Sequence, residues 1–368
     1  MTRKTVLAVV FLSGLAAAAW SCTPAGGADG DGDGGSDGDT DADGDGDSDA
    51  DADGDSDGCE GKVLDDSFDV ECAEDLAVLG KYTEVTGNVT ISAPDITSLE
   101  GLECLERIGE SLNISASANL ASLHGLENLG EVGWELYISW NAALTDLDGL
   151  VGLVFPVQRL YINDNAALSN LDGLAGIEAV TTDVYVVNNP SLADLDGLSG
   201  ITAVGGDLTI GNNAVLSDLE GLSGIVDVGG DLYVGDNTAL GSLDGLENLV
   251  SVWGSVLVFH NDALTGLSGL HGLTSVPGSL DFTYNGSLGD LDALAGIATV
   301  GGDLLISYNA SLEDLDGLAS LSGVGGDIVL RGNASLSDLD GLSALSSLGG
   351  SLIIDYDGVL SDLGGLGG

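Results

Sequence analysis

The apolar residues of this chain recur with a fixed period of 24 from about residue 93 onward. Leucine occupies one repeat position twelve times in succession, from Leu99 to Leu363. A constant period of this length is typical of a solenoid, in which each repeat is one supersecondary unit packed on its neighbours. The pattern therefore predicts a stack of 24-residue coils.

The unit that begins at Asn213 shows which elements the pattern predicts. Leu232 and Val234 flank Tyr233, and this alternation predicts a short strand with both aliphatic side chains inward. The earlier apolar residues lie three apart, a spacing that suits tight turns or short extended pieces better than a helix or a long strand. They are Leu216, Leu219, Leu222, Ile225 and Val228.

An asparagine occupies the first position of nine consecutive units. Its side chain both donates and accepts hydrogen bonds, so it can satisfy backbone groups that a tight turn leaves unpaired inside each coil. We therefore expect a buried asparagine ladder, although a column on the surface is an alternative. Its members are Asn141, Asn165, Asn189, Asn213, Asn237, Asn261, Asn285, Asn309 and Asn333.

The N-terminus has the features of an export signal. Arg3 and Lys4 precede an apolar segment at residues 5–19, which is short for a membrane span. The sequence that follows looks like a bacterial lipobox with Cys22 as the acylated residue, and this likeness implies a lipid anchor. The alternative is an ordinary secretory signal with an incidental cysteine.

The charge of the chain limits its possible partners and determines what structure is expected for the segment after the signal. The chain has 7 Lys and Arg against 60 Asp and Glu, a net charge of −53, which excludes a nucleic-acid backbone as partner. Residues 29–57 alternate aspartate with Gly, Ser, Ala or Thr and offer nothing to bury, so we expect an extended, disordered linker. The stretch SDADADGDSDGCE fits an EF-hand loop, but alternating aspartate produces that fit by itself.

These features predict a mainly β protein, a right-handed parallel β-solenoid preceded by a disordered acidic linker. Residues 59–92 form an N-terminal cap with an imperfect first coil that includes Leu76 and Leu79. The predicted division is a lipoprotein signal peptide at 1–21, the lipidated cysteine and Asp/Gly linker at 22–58, the cap at 59–92 and the repeat solenoid at 93–368.

The repeat pattern L-x-I-x-x-N-x-x-L-x-x-L-x-G-L resembles leucine-rich repeats. It is more similar still to the receptor L-domain-like repeats of acidic bacterial surface lipoproteins. The resemblance covers residues 93–368 and departs from the commonest leucine-rich pattern in having two residues, not one, between the asparagine and the next leucine. It implies a lipid-anchored protein of the outer membrane or cell surface with a recognition or adhesion role.

Two polar or aromatic columns are candidate sites. The motif D-L-D-G-L places two acids beside each inward leucine, and such pairs on successive coils could hold Ca²⁺, the one candidate cofactor. The alternative is an acidic edge with Asp-Gly turn chemistry. The candidate calcium ligands are Asp146, Asp148, Asp194, Asp196, Asp314, Asp316, Asp338 and Asp340.

The aromatic column is the candidate ligand-binding stripe. Seven of the eight tyrosines lie at only two repeat positions, and exposed aromatic residues on a rigid sheet suit a glycan or protein ligand. The alternative is stacking between coils. The candidates are Tyr137, Tyr161, Tyr185 and Tyr233 within the strands, and Trp140, Tyr284, Tyr308 and Tyr356 just after them.

Cysteine usage indicates an oxidising compartment without giving a pairing. Cys59, Cys72 and Cys104 remain after Cys22, so one would stay unpaired. A bond between Cys59 and Cys72 would close a short loop, and Cys104 could simply be buried.

The sequence gives little support for an enzyme. Few basic residues remain after the signal, His124, His260 and His271 are isolated in the sequence, and no catalytic motif is present. We therefore expect a surface-anchored, non-catalytic recognition or adhesion protein that binds a protein or glycan and meets the membrane only through its lipid. A structural or calcium-binding envelope or matrix lipoprotein is the alternative, and a β-helix enzyme acting on polysaccharide is a remote one. The sequence leaves the oligomeric state open.

Overall fold

The computed structural model describes residue 59, residues 61–356, residues 358–360 and residues 363–366. The predicted signal peptide at 1–21, the lipidation site Cys22 and the acidic linker at 22–58 lie outside these residues. In the part of the chain that is described, no helix has the length and apolarity needed to cross a membrane.

A parallel sheet of 13 strands, ordered as they occur along the chain, confirms the leucine-rich-repeat-like solenoid. Partner residues in successive strands are 24 apart through the repeats, as in the pairing of Tyr161 with Tyr185. The strands are β2 (Phe68–Val70), β4 (Val89–Ile91), β6 (Leu112–Ser115), β8 (Glu135–Ser139), β9 (Arg159–Asn163), β10 (Val184–Val187), β12 (Leu208–Gly211), β14 (Leu232–Gly235), β16 (Val256–Phe259), β18 (Leu280–Thr283), β20 (Leu304–Ser307), β22 (Ile328–Arg331) and β24 (Leu352–Asp355).

Shorter parallel strands precede most members of this long sheet and form three smaller sheets. The first contains β1 (Lys62–Leu64), β3 (Tyr82–Val85), β5 (Arg107–Ile108) and β7 (Glu131–Val132). The second contains β11 (Ala203–Val204), β13 (Asp227–Val228) and β15 (Ser251–Val252). The third contains β17 (Ser275–Val276), β19 (Thr299–Val300), β21 (Gly323–Val324) and β23 (Ser347–Leu348).

The three-residue spacing of apolar residues corresponds to short 3₁₀ turns in most coils. Coils stack so closely there that a Cβ atom on Gly197 would lie 1.7 Å from the carbonyl oxygen of Leu171, so a side chain at this position would force the two coils to shift. The turns are Asp148–Leu150, Asp172–Leu174, Asp196–Leu198, Glu220–Leu222, Ser268–Leu270, Asp292–Leu294, Asp316–Leu318, Asp340–Leu342 and Gly364–Leu366.

The inward apolar positions form one continuous core along the stack. In the unit that begins at Asn213, all seven predicted positions have exposed fractions of 0–1%. Burial of such a side chain contributes roughly 1.5–3 kcal/mol, or about 10–20 kcal/mol for the coil before the entropy of ordering the chain.

The asparagine ladder is buried and joins successive coils. Asn141 through Asn333 have no exposed surface. Each side-chain oxygen accepts a hydrogen bond from the backbone N–H one coil earlier at 2.9–3.1 Å, beginning with Ser117. Each side-chain nitrogen donates to a strand carbonyl 27 residues earlier at 2.8–3.0 Å. The amides thus satisfy backbone groups that water does not reach.

The N-terminal part differs from the predicted imperfect coil because it contains a helix, α1 (Ala73–Leu79). Leu76 and Leu79 are buried on this helix. The buried Asp75 carboxylate accepts hydrogen bonds from the backbone N–H groups of Glu71 and Cys72 at 3.0 and 3.2 Å. This interaction satisfies donors at the start of the helix.

The sequence left the disulfide pairing open, and the possible bond within the cap does not form. Cys59 is bonded to Cys104, 45 residues later, so the pairing of Cys59 with Cys72 is wrong. Cys104 ties the start of the folded part to a coil, and sequence spacing alone could not show that the two Cα atoms come within bonding reach.

We predict that Asn213→Ala lowers the free energy of unfolding by about 2–4 kcal/mol, measured by urea denaturation. The change leaves the buried N–H of Asn189 and the carbonyl of Val186 without their partners, and each such group costs about 1–3 kcal/mol. Asn248→Ala is the control, since that amide is exposed and donates to Ser223 at 2.9 Å. An effect of Asn213→Ala no larger than that of the control would contradict a structural role for the ladder.

Candidate ligand-binding face

The outer face of the long sheet presents one side chain per coil at the middle of each strand from β6 to β24, and we call this set the central column. Its members are half-buried, except Ile353, which is exposed. They lie between the inward strand residues, as the alternation of a strand requires. They are Asn113, Tyr137, Tyr161, Tyr185, Thr209, Tyr233, Leu257, Asp281, Leu305, Val329 and Ile353.

A second column follows the strands, and its backbone is left-handed. The non-glycine members have φ between 52° and 62°. The N–H of every member before Tyr356 donates to a carbonyl of the next coil, as from Tyr284 to Ser307 at 2.9 Å. This conformation is unfavourable for bulky residues. The left-handed column consists of Ala116, Trp140, Asp164, Asn188, Asn212, Asp236, His260, Tyr284, Tyr308, Gly332 and Tyr356.

The first aromatic stack lies within the central column. Tyr137 meets Tyr161 edge-on at 5.9 Å between ring centroids, and Tyr161 stacks on Tyr185 at 4.7 Å. Arg159 lies 5.7 Å from the Tyr161 ring centroid and donates to Asp183 at 3.1 Å. Burial, with the nearby carboxylates of Asp183 and Asp207, raises the pKa of Tyr185 to about 12, so this hydroxyl stays protonated at neutral pH.

The second stack passes from the central column to the left-handed column. Tyr233 meets Phe259 edge-on at 4.7 Å, and Phe259 lies beside His260. His260 then stacks on Tyr284, and Tyr284 on Tyr308, both at 4.5 Å. The exposed fractions of Tyr284 and Tyr308 are 42% and 40%, so the rings contact each other and still present surface.

The eight predicted aromatic residues are therefore not one stripe. Tyr137, Tyr161 and Tyr185 form the first stack, and Tyr233, Tyr284 and Tyr308 belong to the second. Trp140 and Tyr356 lie outside both and are 59% and 80% exposed. Stacking between coils, which the sequence left as the alternative, occurs together with exposure and does not replace it.

The sequence interpretation missed Phe259 and His260, which connect the two halves of the second stack. His260 lies 24 residues before Tyr284, at the same repeat position. Its place in that column indicated that it could share the role of the tyrosines. Histidine and tyrosine were nevertheless interpreted separately because they are different residue types. Phe259 occupies a position without other aromatic members, so the repeat offered no signal for it.

The carboxyl-terminal half of the central column is apolar except at one position. Asp281 pairs in register with Leu257 on one side and Leu305 on the other. Val329 and Ile353 continue the column. Burial raises the pKa of Asp281, and a hydrogen bond from the Thr283 hydroxyl partly opposes that rise.

A second ladder, which the sequence interpretation also missed, runs along the start of the strands. At each step a backbone N–H donates to the aspartate or serine side chain one coil earlier, at 2.6–3.1 Å. A Cβ atom on Gly206 would lie 2.2 Å from Oδ1 of Asp183, which explains the glycine before each residue whose N–H donates in this ladder. The acceptors are Asp183, Asp207, Asp231, Ser255, Ser279, Asp303 and Asp327.

The D-L-D-G-L carboxylates accept hydrogen bonds within their own turns. This is the Asp-Gly turn chemistry that was the alternative to calcium binding. Asp146 accepts a hydrogen bond from the backbone N–H of Asp148 at 3.3 Å, and Asp314 accepts one from Asp316 at 3.0 Å. Asn170 does the same for Asp172 at 3.2 Å, so this turn does not require a charge. Asp194 and Asp338 accept in the same way from Asp196 and Asp340.

Carboxylates of this column repel one another where they lie close together. The neighbouring carboxylate of Asp314 raises the pKa of Asp316, with smaller contributions from other acids of the column. Within the described residues, no group of three or more His, Cys, Asp or Glu side chains is placed to hold a metal ion. Calcium bridging between coils therefore stays a prediction.

No family model matches the chain, and no curated protein matches it. Among solved structures, the chain is similar to an internalin from Listeria monocytogenes, with 18% sequence identity and a TM-score of 0.38, over 75% of this chain and 76% of that one. The description of the fold rests on this chain's own parallel strands and asparagine ladder.

If calcium bridges the D-L-D-G-L carboxylates, millimolar Ca²⁺ should raise the melting temperature more than Mg²⁺ at the same concentration does. Calcium accepts a larger number of oxygen ligands than magnesium, and in less regular arrangements. Differential scanning calorimetry of the full chain would measure this. The variant Asp314→Asn/Asp338→Asn keeps the turn acceptors and should lose part of the difference. Equal melting temperatures in the two ions would contradict calcium bridging.

Proposed function

We propose that this protein is a non-catalytic recognition protein that binds a protein or glycan ligand through the outer face of its long sheet. The observation that carries the proposal is the second aromatic stack. His260, Tyr284 and Tyr308 have left-handed backbone conformations, each of which costs roughly 1–2 kcal/mol for an ordinary residue. Aromatic side chains that occupy a strained and exposed position favour a role in contact with a ligand.

The rigidity of the face supports this role. Every strand of the sheet pairs with the next through its backbone, and the buried asparagines also join the coils from Ser117 to Asn333. The rings are therefore held at fixed spacings before a ligand arrives. A rigid aromatic surface loses little side-chain entropy on binding. Tyrosine hydroxyls that remain protonated can also donate hydrogen bonds to a ligand.

We predict that His260→Asn/Tyr284→Asn/Tyr308→Asn weakens ligand binding at least tenfold without loss of stability. Asparagine is the matched replacement because Asn188 and Asn212 already occupy this left-handed column, where asparagine is tolerated. Binding of the labelled protein to glycan and protein arrays would be compared with wild type, and unfolding would be followed by circular dichroism.

A second variant tests the first stack in the same assay. Tyr137→Thr/Tyr161→Thr/Tyr185→Thr uses the residue that Thr209 supplies naturally in the central column. The control variant replaces Asn188 and Asn212 with serine. These two residues lie in a part of the left-handed column that has no aromatic rings. Array binding that survives both aromatic variants unchanged would exclude the outer face as the ligand site.

The proposal includes display at the cell surface through a lipid on Cys22. Two or more acyl chains give stable anchoring, at roughly 0.8 kcal/mol per buried CH₂ group, and the acidic segment after Cys22 would extend the solenoid away from the membrane. Support for lipid anchoring comes from the sequence of the predicted export signal.

We predict that an alkyne-bearing fatty acid labels the wild-type protein in a bacterial host and fails to label Cys22→Ala. Membrane fractionation would show the same difference, because the variant should appear in the soluble exported fraction. Wild-type protein without label, or label that persists in Cys22→Ala, would contradict lipid anchoring. Neither outcome bears on ligand binding by the sheet.

A further inference from the structure

Asp281 is the single charged residue in the central column. It is half-buried, and its partners in register on the two neighbouring strands are Leu257 and Leu305. Neither β16 nor β20 contains a charged residue. Just beyond the ends of these three strands lie four titratable residues. His260, Tyr284 and Tyr308 follow β16, β18 and β20, and Asp303 precedes β20. The carboxylate therefore lies in an apolar part of the face.

The protein itself supplies no cation to this carboxylate in the part of the chain that the structure describes. Its one hydrogen bond there comes from the Thr283 hydroxyl. The three arginines are paired elsewhere: Arg107 with Glu84 and Glu131, Arg159 with Asp183, and Arg331 with Asp355 at 3.4 Å. A half-buried carboxylate without a cationic partner is unfavourable, and the fold gains nothing from it that a neutral residue would not provide.

The surroundings of Asp281 define what could lie against it. Phe259 pairs with Thr283 in register, and the stacked rings of His260 and Tyr284 follow directly after these two strands. Aromatic faces and a carboxylate together favour a cationic group. In the other direction, Leu305, Val329 and Ile353 lie one, two and three strands away, or about 5, 10 and 14 Å at the usual strand spacing.

We infer that Asp281 is the anchor for a lysine or arginine side chain of a protein partner, with apolar partner residues seated on Leu305, Val329 and Ile353. This inference rests on the proposed function and deepens it by naming the chemistry of the ligand. A neutral glycan would leave the carboxylate unpaired, whereas a basic side chain pairs with it in a desolvated setting. The net charge of −53 also attracts basic proteins and accelerates their encounter.

The test is a selection of peptides from a random twelve-residue display library on the immobilised full chain, followed by affinity measurement. Peptides selected on the wild type should be enriched in lysine or arginine with apolar neighbours. Asp281→Asn should weaken their binding at least tenfold, since it removes the charge and keeps an acceptor for Thr283. Asp262→Asn is the matched control, because it removes one exposed charge from the adjacent coil without altering the central column.

Folding is checked separately. Burial opposes ionisation of Asp281, so charge at this position destabilises the folded state above its raised pKa and has no such effect below the ordinary carboxyl pKa. Asp281→Asn should therefore melt no lower than the wild type at pH 7, and any gain should vanish as the pH falls through the pKa. A loss of binding in a stable variant is then a loss of the contact itself.

The outcomes distinguish this inference from the proposed function. Peptides that lose affinity in the His260, Tyr284 and Tyr308 triple variant but bind Asp281→Asn normally would overturn the basic anchor and leave the ligand face in place. Equal weakening by Asp262→Asn would show that net charge alone is responsible and would also overturn it. Peptides unaffected by every one of these variants would overturn the outer face as the binding surface.

Discussion

The rest of this structure depends on the hydrogen bonds that the buried asparagines make between successive coils. Each amide satisfies one N–H and one carbonyl in a core that water does not reach. One residue more or fewer in a coil would move the amide away from both groups and leave them unpaired. The period is therefore held at 24, and every other repeat position is held in register along the stack. Columns on the outer face follow from that register.

The register also fixes a backbone conformation that most side chains avoid. From β6 to β22, the residue after each strand must be left-handed for its N–H to reach the next coil. Gly332, Asn188 and Asp164 suit such a position, while Trp140, Tyr284 and Tyr308 do not. Stacking between rings at 4.5 Å recovers part of the strain, but it leaves much of each ring in solvent. The aromatic residues are thus better explained by contact with a ligand than by the stability of the fold.

Periodic features were predictable from the sequence, and features outside the period were not. The alternation around Tyr233 and the recurrence of Asn213 and its equivalents predicted the strands and the ladder, because both follow from local geometry repeated many times. The α1 helix and the Cys59–Cys104 bond occur once and depend on how the cap closes. The ladder through Asp207 and Ser255 was missed because aspartate and serine look unrelated until their side-chain oxygens are seen to accept the same N–H group. Asp281 was missed because its meaning comes from its strand neighbours Leu257 and Leu305.

That interchange of aspartate and serine separates the structural from the electrostatic role of the acidic residues. Ser255 and Ser279 accept the inter-coil hydrogen bond as well as Asp207 does, and Asn170 replaces aspartate in the turn. Coil stacking therefore requires an oxygen at these positions and not a negative charge. Neighbouring carboxylates repel one another, and the apolar core of each coil is large enough to outweigh that repulsion. The excess of acidic residues must then act outside the fold, by increasing solubility and by attracting cationic partners. Asp281 combines such a negative charge with an apolar surface around it.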